Sequence, residues 1–302
     1  MGKCNLCPRH CNIDRAAKEG ICQARDYVKI GAIVIHKGEE PPFIQGEGSG
    51  AIFFSGCPMR CEYCQNKEIS HANFGIPVET DRLAQYMIKL QRLGCSNINL
   101  VSPTHYTPWI IKSLTQAERM GLSLPIIINS SGYEQISTIQ MWYEHAHIYL
   151  IDLKYGDNRT GKILSKVPNY WDIARKIIEH IWKDVGPLRE DTQGRAVNGL
   201  LIRHLLLPGM LSNPFAVLDF LADISLKIPI SIMSQYNPTC YSGDIEDMKR
   251  VISKDEYQVV LDKAISLGFE TIYTQEIDSA QGYLPEFHAS RPFGDYINLL
   301  TT

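Results

Sequence analysis

The chain has 302 residues, a net charge of −3, 44% apolar residues and 21% charged residues. These are the values of an ordinary globule, long enough for one large α/β domain or two smaller ones. They exclude a dominant electrostatic footprint for nucleic acid or an anionic membrane. No apolar run approaches the roughly 18–20 residues that span a bilayer, and the polar N-terminus has no apolar signal core. The expectation is a cytoplasmic protein with no nucleic-acid or membrane partner, whose nine cysteines bind metal before they pair as disulfides.

The chain opens on Cys4, Cys7, Cys11 and Cys22, spaced C-x2-C-x3-C-x10-C. Four soft ligands in a stretch too short for its own core predict that metal binding folds it. Residues 1–25 are therefore expected to be a cysteine-rich, metal-binding extension, and residues 26–302 the main domain. Four thiolates suit either a 4Fe–4S cluster or structural zinc. Residues 27–36 read as β structure and 37–42 as a turn. Gly46, Gly48 and Gly50 form a loop that matches no phosphate-binding fingerprint.

Ala51-Ile52-Phe53-Phe54 reads as a buried strand. It leads into Cys57, Cys61 and Cys64, spaced C-x3-C-x2-C, with Tyr63 before the last. Three thiolates are too few for a closed four-ligand site. An iron–sulfur cube held by three cysteines keeps one iron open, and an open metal position means chemistry.

Further apolar runs begin near residues 97, 124, 148, 199, 229 and 269, without alternation, as parallel strands covered on both faces do. Helix-period segments near 79–93, 107–120, 134–145, 169–184, 213–226 and 254–267 lie between them. Thr80 or Asp81 is a candidate cap for the first, and Asn213-Pro214 an N-cap with first-turn proline. Repeated βα units predict a parallel sheet or barrel. Polar residues 185–198 lack periodicity and read as a flexible insert. Cys95 reads as a small buried residue and Cys240 as a loop thiol.

The cysteine loop with Tyr63 resembles the radical SAM superfamily. The resemblance is nearest to pyruvate formate-lyase-activating-enzyme-like proteins, through Asp152-Leu153-Lys154 and Arg203…Pro208-Gly209. The segment from Cys4 to Cys22 resembles the extra motif of an uncharacterised branch of that group. The resemblance implies a partial (β/α)6 barrel. It also implies that S-adenosylmethionine chelates the open iron of a 4Fe–4S cluster held by Cys57, Cys61 and Cys64. Reductive cleavage would yield methionine and a 5′-deoxyadenosyl radical, which abstracts hydrogen from a substrate. A flavodoxin- or ferredoxin-type donor and a peptide substrate on a glycyl radical enzyme are the implied partners. A small molecule or another peptide, and a non-catalytic iron–sulfur or zinc protein, are the alternatives.

Ligands in such folds sit beyond the carboxyl ends of the strands. There the family's Gly-Gly-Glu-like stretch is replaced by Ser102-Pro103-Thr104, whose carbonyls are expected to accept from the methionine ammonium. His105 is either a substrate contact or a structural hydrogen-bonder. Asn129 and Ser131 are expected at a carboxylate or ribose, and Gln235 in a ribose-facing turn. Asp152 and Lys154 point to one side of their strand and match residues facing the methionine and the reaction centre, unless they form a private ion pair. Arg203, in a buried strand, needs an anion. The cofactor carboxylate and an internal Glu or Asp are the candidates.

Overall fold

Apolar runs of β-branched and aromatic residues form the strands of a computed structural model that describes residues 3–277, 279, 284–294 and 296–300. The strands are β1 (Val28–His36), β2 (Ser49–Phe54), β3 (Ile76–Val78), β4 (Ile98–Val101), β5 (Ile126–Ser130), β6 (Ile148–Asp152), β7 (Arg189–Glu190), β8 (Ala196–Leu205), β9 (Ile230–Met233) and β10 (Ile272–Thr274). The sheet order is β10-β9-β8-β6-β5-β4-β2-β1-β3, parallel from β10 to β2, with β1 antiparallel to β2 and to β3.

The helices are α1 (Lys67–Ser70), α2 (Thr80–Arg92), α3 (Thr107–Arg119), α4 (Ile136–Trp142), α5 (Asn158–Ser165), α6 (Tyr170–Val185), α7 (Pro214–Ile224) and α8 (Lys254–Leu267). The six expected helices are α2, α3, α4, α6, α7 and α8, so six βα repeats run from β2 to α8, with β10 added at the edge. Phe53 of β2 and Tyr273 of β10, at opposite ends of the parallel array, line one cavity. The sheet is therefore open but curved around a concave face, an α/β architecture of parallel strands and covering helices.

Alternation sets the two faces. Ile126, Ile128, Tyr149, Ile151, Leu200 and Ile202 join the helices in the main core. Ile127, Ile148, Leu150 and Leu201 point the other way and pack on Phe43 in a smaller cluster. Among the described residues no helix is long and apolar enough to cross a membrane.

Two local expectations are corrected. Residues 185–198 are not a structureless insert, because Arg189 and Glu190 pair antiparallel with the start of β8. The N-cap of α2 is Glu79, without a side-chain cap, and the Thr80 hydroxyl turns to Asp81 instead. Asn213 does precede the first-turn Pro214, but in a left-handed conformation and without a side-chain cap.

Candidate active site

β2 delivers the chain to a tight turn at Ser55-Gly56. Gly56 has φ +82°, and a methyl group there would collide with the Cys22 carbonyl, so only glycine fits. The next turn is tied to the end of α5, where Arg60 and Glu62 donate backbone N–H groups to the carbonyls of Ser165 and Leu164, at 3.2 and 2.8 Å. Cys57, Cys61 and Cys64 thereby line a single cavity of about 710 Å³, and no other cysteine does.

Each sulfur meets donors. Backbone N–H groups of Met59 and Asn66 reach Cys57 and Cys64. The Ser165 hydroxyl donates to Cys61 Sγ at 2.9 Å, and Ser70 Oγ lies 3.3 Å from Cys64 Sγ. A chain of hydroxyls stands behind Ser165: Tyr63 donates to Tyr155 at 2.7 Å, and Tyr155 meets Ser165 at 2.5 Å. Burial pushes all three thiols up, so they stay protonated unless a metal replaces the protons, while nearby Lys154 favours their thiolates.

On the facing wall Lys154 Nζ lies 2.8 Å from Asp152 Oδ2, and both side chains also face the cavity. Burial opposes the charge on Lys154. Asp152, with Cys61 and Tyr63 behind it, outweighs that burial and holds the ammonium above the usual lysine range. Tyr63, Ser102, Asn129, Ser131 and Gln235 line the same cavity. The expected carbonyl ladder is only partly there. The Pro103 and Thr104 carbonyls are taken by Tyr106 N–H and Thr107 Oγ1 at the entry to α3, and neither residue lines the cavity. His105 is structural: its Nε2 meets the Ser55 carbonyl at 2.8 Å, and burial pushes its pKa down to about 3.

Arg203 is held by internal carboxylates. Its Nε donates to Glu40 Oε1 at 2.8 Å, and its Nη2 donates to Glu40 Oε2 and to Glu39. The guanidinium lines the cavity and is held by two internal carboxylates, the internal anion that was one of its two candidate partners. Glu39 in turn accepts from Asn99 at 3.0 Å. Leu201, two residues before Arg203 and on the same face, belongs to the Phe43 cluster, so this ionic group floors the cavity above an apolar plug.

Sequence reasoning missed Ser165, Tyr155 and Glu134. Glu134 Oε1 accepts hydrogen bonds from Thr104 and Ser130, while its Oε2 is buried with no partner among the described residues. Burial raises its pKa from 4.5 to about 7, against both hydroxyls. A raised carboxyl pKa means that the folded state holds the extra proton. The contribution is fully present below pH 4.5 and is lost as pH rises through about 7. It amounts to roughly 3 kcal/mol. Glu134→Gln should therefore flatten this part of the profile. Urea unfolding at pH 5 and pH 8 checks it, and parallel wild-type and variant profiles would refute it.

The N-terminal segment folds back on itself, with Cys4 N–H bonded to the Ile13 carbonyl at 2.8 Å. Cys7 and Cys22 are buried, and Cys4 and Cys11 half-buried. A methyl at Gly20 would lie 3.4 Å from Cys11 Sγ and 3.5 Å from Cys22 Sγ. Burial pushes the Cys7 thiol up to about 12, against the Arg9 backbone N–H that reaches it. The Arg9 side chain ties the segment to the Cys57–Cys64 loop through the Pro58 carbonyl at 2.8 Å, and Thr138 of α4 binds the Leu6 carbonyl at 2.8 Å. Among the described residues no three His, Cys, Asp or Glu side chains converge as on a single metal ion. A cube differs from such a site in taking each thiolate on a separate iron.

Residues 44–165 match the family model described as a 4Fe-4S single cluster domain, a span that includes Cys57, Cys61 and Cys64 but not the N-terminal four. An uncharacterised protein of Methanocaldococcus jannaschii is 28% identical over 280 residues, covering 89% of this chain and 76% of its own. Among solved structures, a domain of pyruvate-formate lyase-activating enzyme from Bacteroides vulgatus is 16% identical, with a TM-score of 0.44 over 60% of this chain and 99% of that one. Streptococcus suis SuiB bound to S-adenosylmethionine is 15% identical, with a TM-score of 0.49 over 73% of this chain and 45% of that one. Similarity at this level establishes no shared activity.

Proposed function

We propose that the chain is a radical SAM enzyme built around Cys57, Cys61 and Cys64. The observation that carries this reading is that these three thiols, and no fourth cysteine, share one cavity with Asp152, Lys154, Asn129 and Ser131. The residues fit the group: three sulfurs with hydrogen-bond donors aimed at them, on a cavity large enough for a nucleoside-sized ligand. Cys57, Cys61 and Cys64 would hold a 4Fe–4S cluster with one iron left for the amino and carboxylate groups of S-adenosylmethionine. When bound, that cluster supplies the electron that splits the sulfonium C–S bond to give an adenosyl radical.

The protein's part is position and dryness. Ser165 and Lys154 offset negative charge on the sulfurs. Asp152 offers a carboxylate to a cationic cofactor, and Asn129, Ser131 and Gln235 offer donors and acceptors to its polar groups. The Arg203–Glu39–Glu40 floor keeps the lower end closed. Cys4, Cys7, Cys11 and Cys22 hold a second metal centre, iron–sulfur or zinc, in an extension over residues 1–25. The electron donor is a flavodoxin or ferredoxin in a reducing, cytoplasmic setting.

Anaerobically reconstituted protein given dithionite and S-adenosylmethionine should release 5′-deoxyadenosine and methionine in equal amounts. Protein that carries its iron but releases neither would overturn the reading. Asp152 and Lys154 line the cavity of the three cysteines, and the resemblance of Asp152-Leu153-Lys154 to the activating-enzyme motif favours that branch, in which the substrate is a glycine on a partner protein. A glycyl-type doublet in the paramagnetic resonance spectrum of that partner is its signature. Turnover without that signal points to a small molecule or another peptide.

A further inference from the structure

Among the described residues, a buried cation with no anion bonded to it lies beside the N-terminal cysteines. Arg15 is 6% exposed. Its Nη1 donates to the His105 carbonyl, and its guanidinium stacks on Trp109 at 4.6 Å and on Tyr106 at 5.4 Å. Its Nε and Nη2 are buried and have no hydrogen-bond partner among the described residues. The two rings and one carbonyl offset part of the cost of burying this charge, and an anion beside Nε and Nη2 would offset the rest.

A cysteine of the N-terminal set shares its surroundings. Arg15 and Cys4 line one cavity of about 370 Å³ together with Trp109. Asp14 and Asp26 border the same cavity, but neither meets Nε or Nη2, and Asp14 Oδ1 is taken by the Ala16 N–H. The glycine at position 20 leaves room beside the Cys11 and Cys22 sulfurs that a methyl would take.

We propose that Cys4, Cys7, Cys11 and Cys22 hold an anionic metal–thiolate centre and that Arg15 is its buried countercharge. The proposal rests on the metal reading of these cysteines given above. Four thiolates leave a divalent zinc, or an oxidised 4Fe–4S core, with two negative charges in excess, and a reduced core with three. A fixed guanidinium on the cavity that Cys4 lines favours either centre over protonated thiols and favours the reduced cube over the oxidised one. Arg15 is a positioning residue: it acts through the charge of the centre and touches no substrate.

The test compares full-length wild-type protein with Arg15→Gln and Arg15→Lys, prepared anaerobically and challenged with a graded chelator. Wild type should carry about eight iron atoms, or about four with one zinc, per chain. Arg15→Gln should lose the N-terminal metal at roughly tenfold lower chelator while keeping the four irons of the Cys57 loop, which report that the chain is folded. Arg15→Lys, with its charge retained, should fall between. If the metal is iron, a tenfold bias against the reduced form appears as a fall of about 59 mV in the potential of that cluster.

Arg15→Gln that holds its metal as wild type does overturns the proposal. So does loss of both iron sets in both variants, which makes Arg15 a packing residue. Wild type with about four irons and no zinc overturns it together with the metal reading of the four cysteines. 5′-Deoxyadenosine release in that same preparation shows that the reading of the Cys57 loop survives.

Discussion

Replacing Cys61 with alanine should reduce 5′-deoxyadenosine release to background. Cys61 is buried, accepts from Ser165, and shares its cavity with Cys57 and Cys64. Two thiolates do not hold a cube against solvent, so iron at this loop should fall with the activity. The fold should survive, because losing one buried sulfur costs about 1 kcal/mol, as small truncations do. Ser165→Ala separates ligation from support. It keeps all three sulfurs and removes one donor, so iron affinity should drop roughly ten- to a hundredfold with residual turnover. Iron content, far-ultraviolet dichroism and product release, measured on the same preparations, decide the matter. Full turnover by Cys61→Ala would end the radical SAM reading.

Replacing Arg203 with methionine should cost about 3–5 kcal/mol of stability, the penalty for leaving buried charge unpaired. Glu39 and Glu40 are both almost fully buried, and Arg203 is the cation between them. Burial would push the Glu39 carboxyl up. The guanidinium outweighs it and holds the group well below its ordinary value of 4.5, so its share of the stability is present above that pH and lost as pH falls. Arg203→Lys should recover only part of the loss, because an ammonium cannot fork across two carboxylates. Pairing Arg203→Met with Glu39→Gln and Glu40→Gln should recover most of it. Chemical denaturation at pH 7 measures the series. Unchanged stability with lost activity would return Arg203 to a ligand-binding role.

The elements themselves were legible in the sequence. Continuous runs such as Ile126-Ile127-Ile128 can only be strands covered on both sides, and Leu83, Met87 and Leu90 fall on the buried side of α2. The cysteine loop was legible because its three sulfurs lie within eight residues and one turn gathers them. α5 was missed because its eight residues, capped by Asp157, are too few for a helical period to repeat. The stretch 185–198 was misread because a strand of two exposed residues carries no pattern at all.

Local order therefore fixed which residues reach the concave face: side-chain alternation brings Asp152 and Arg203 there whatever they meet. Which partner each one finds was decided by the closed-up tertiary structure. Arg203 pairs with glutamates 163 and 164 positions away, Cys61 with a serine 104 away, and Glu134 with Thr104, 30 away. A buried charge takes whichever opposite charge the curvature of the sheet brings within reach, and that curvature is a property of all its strands together.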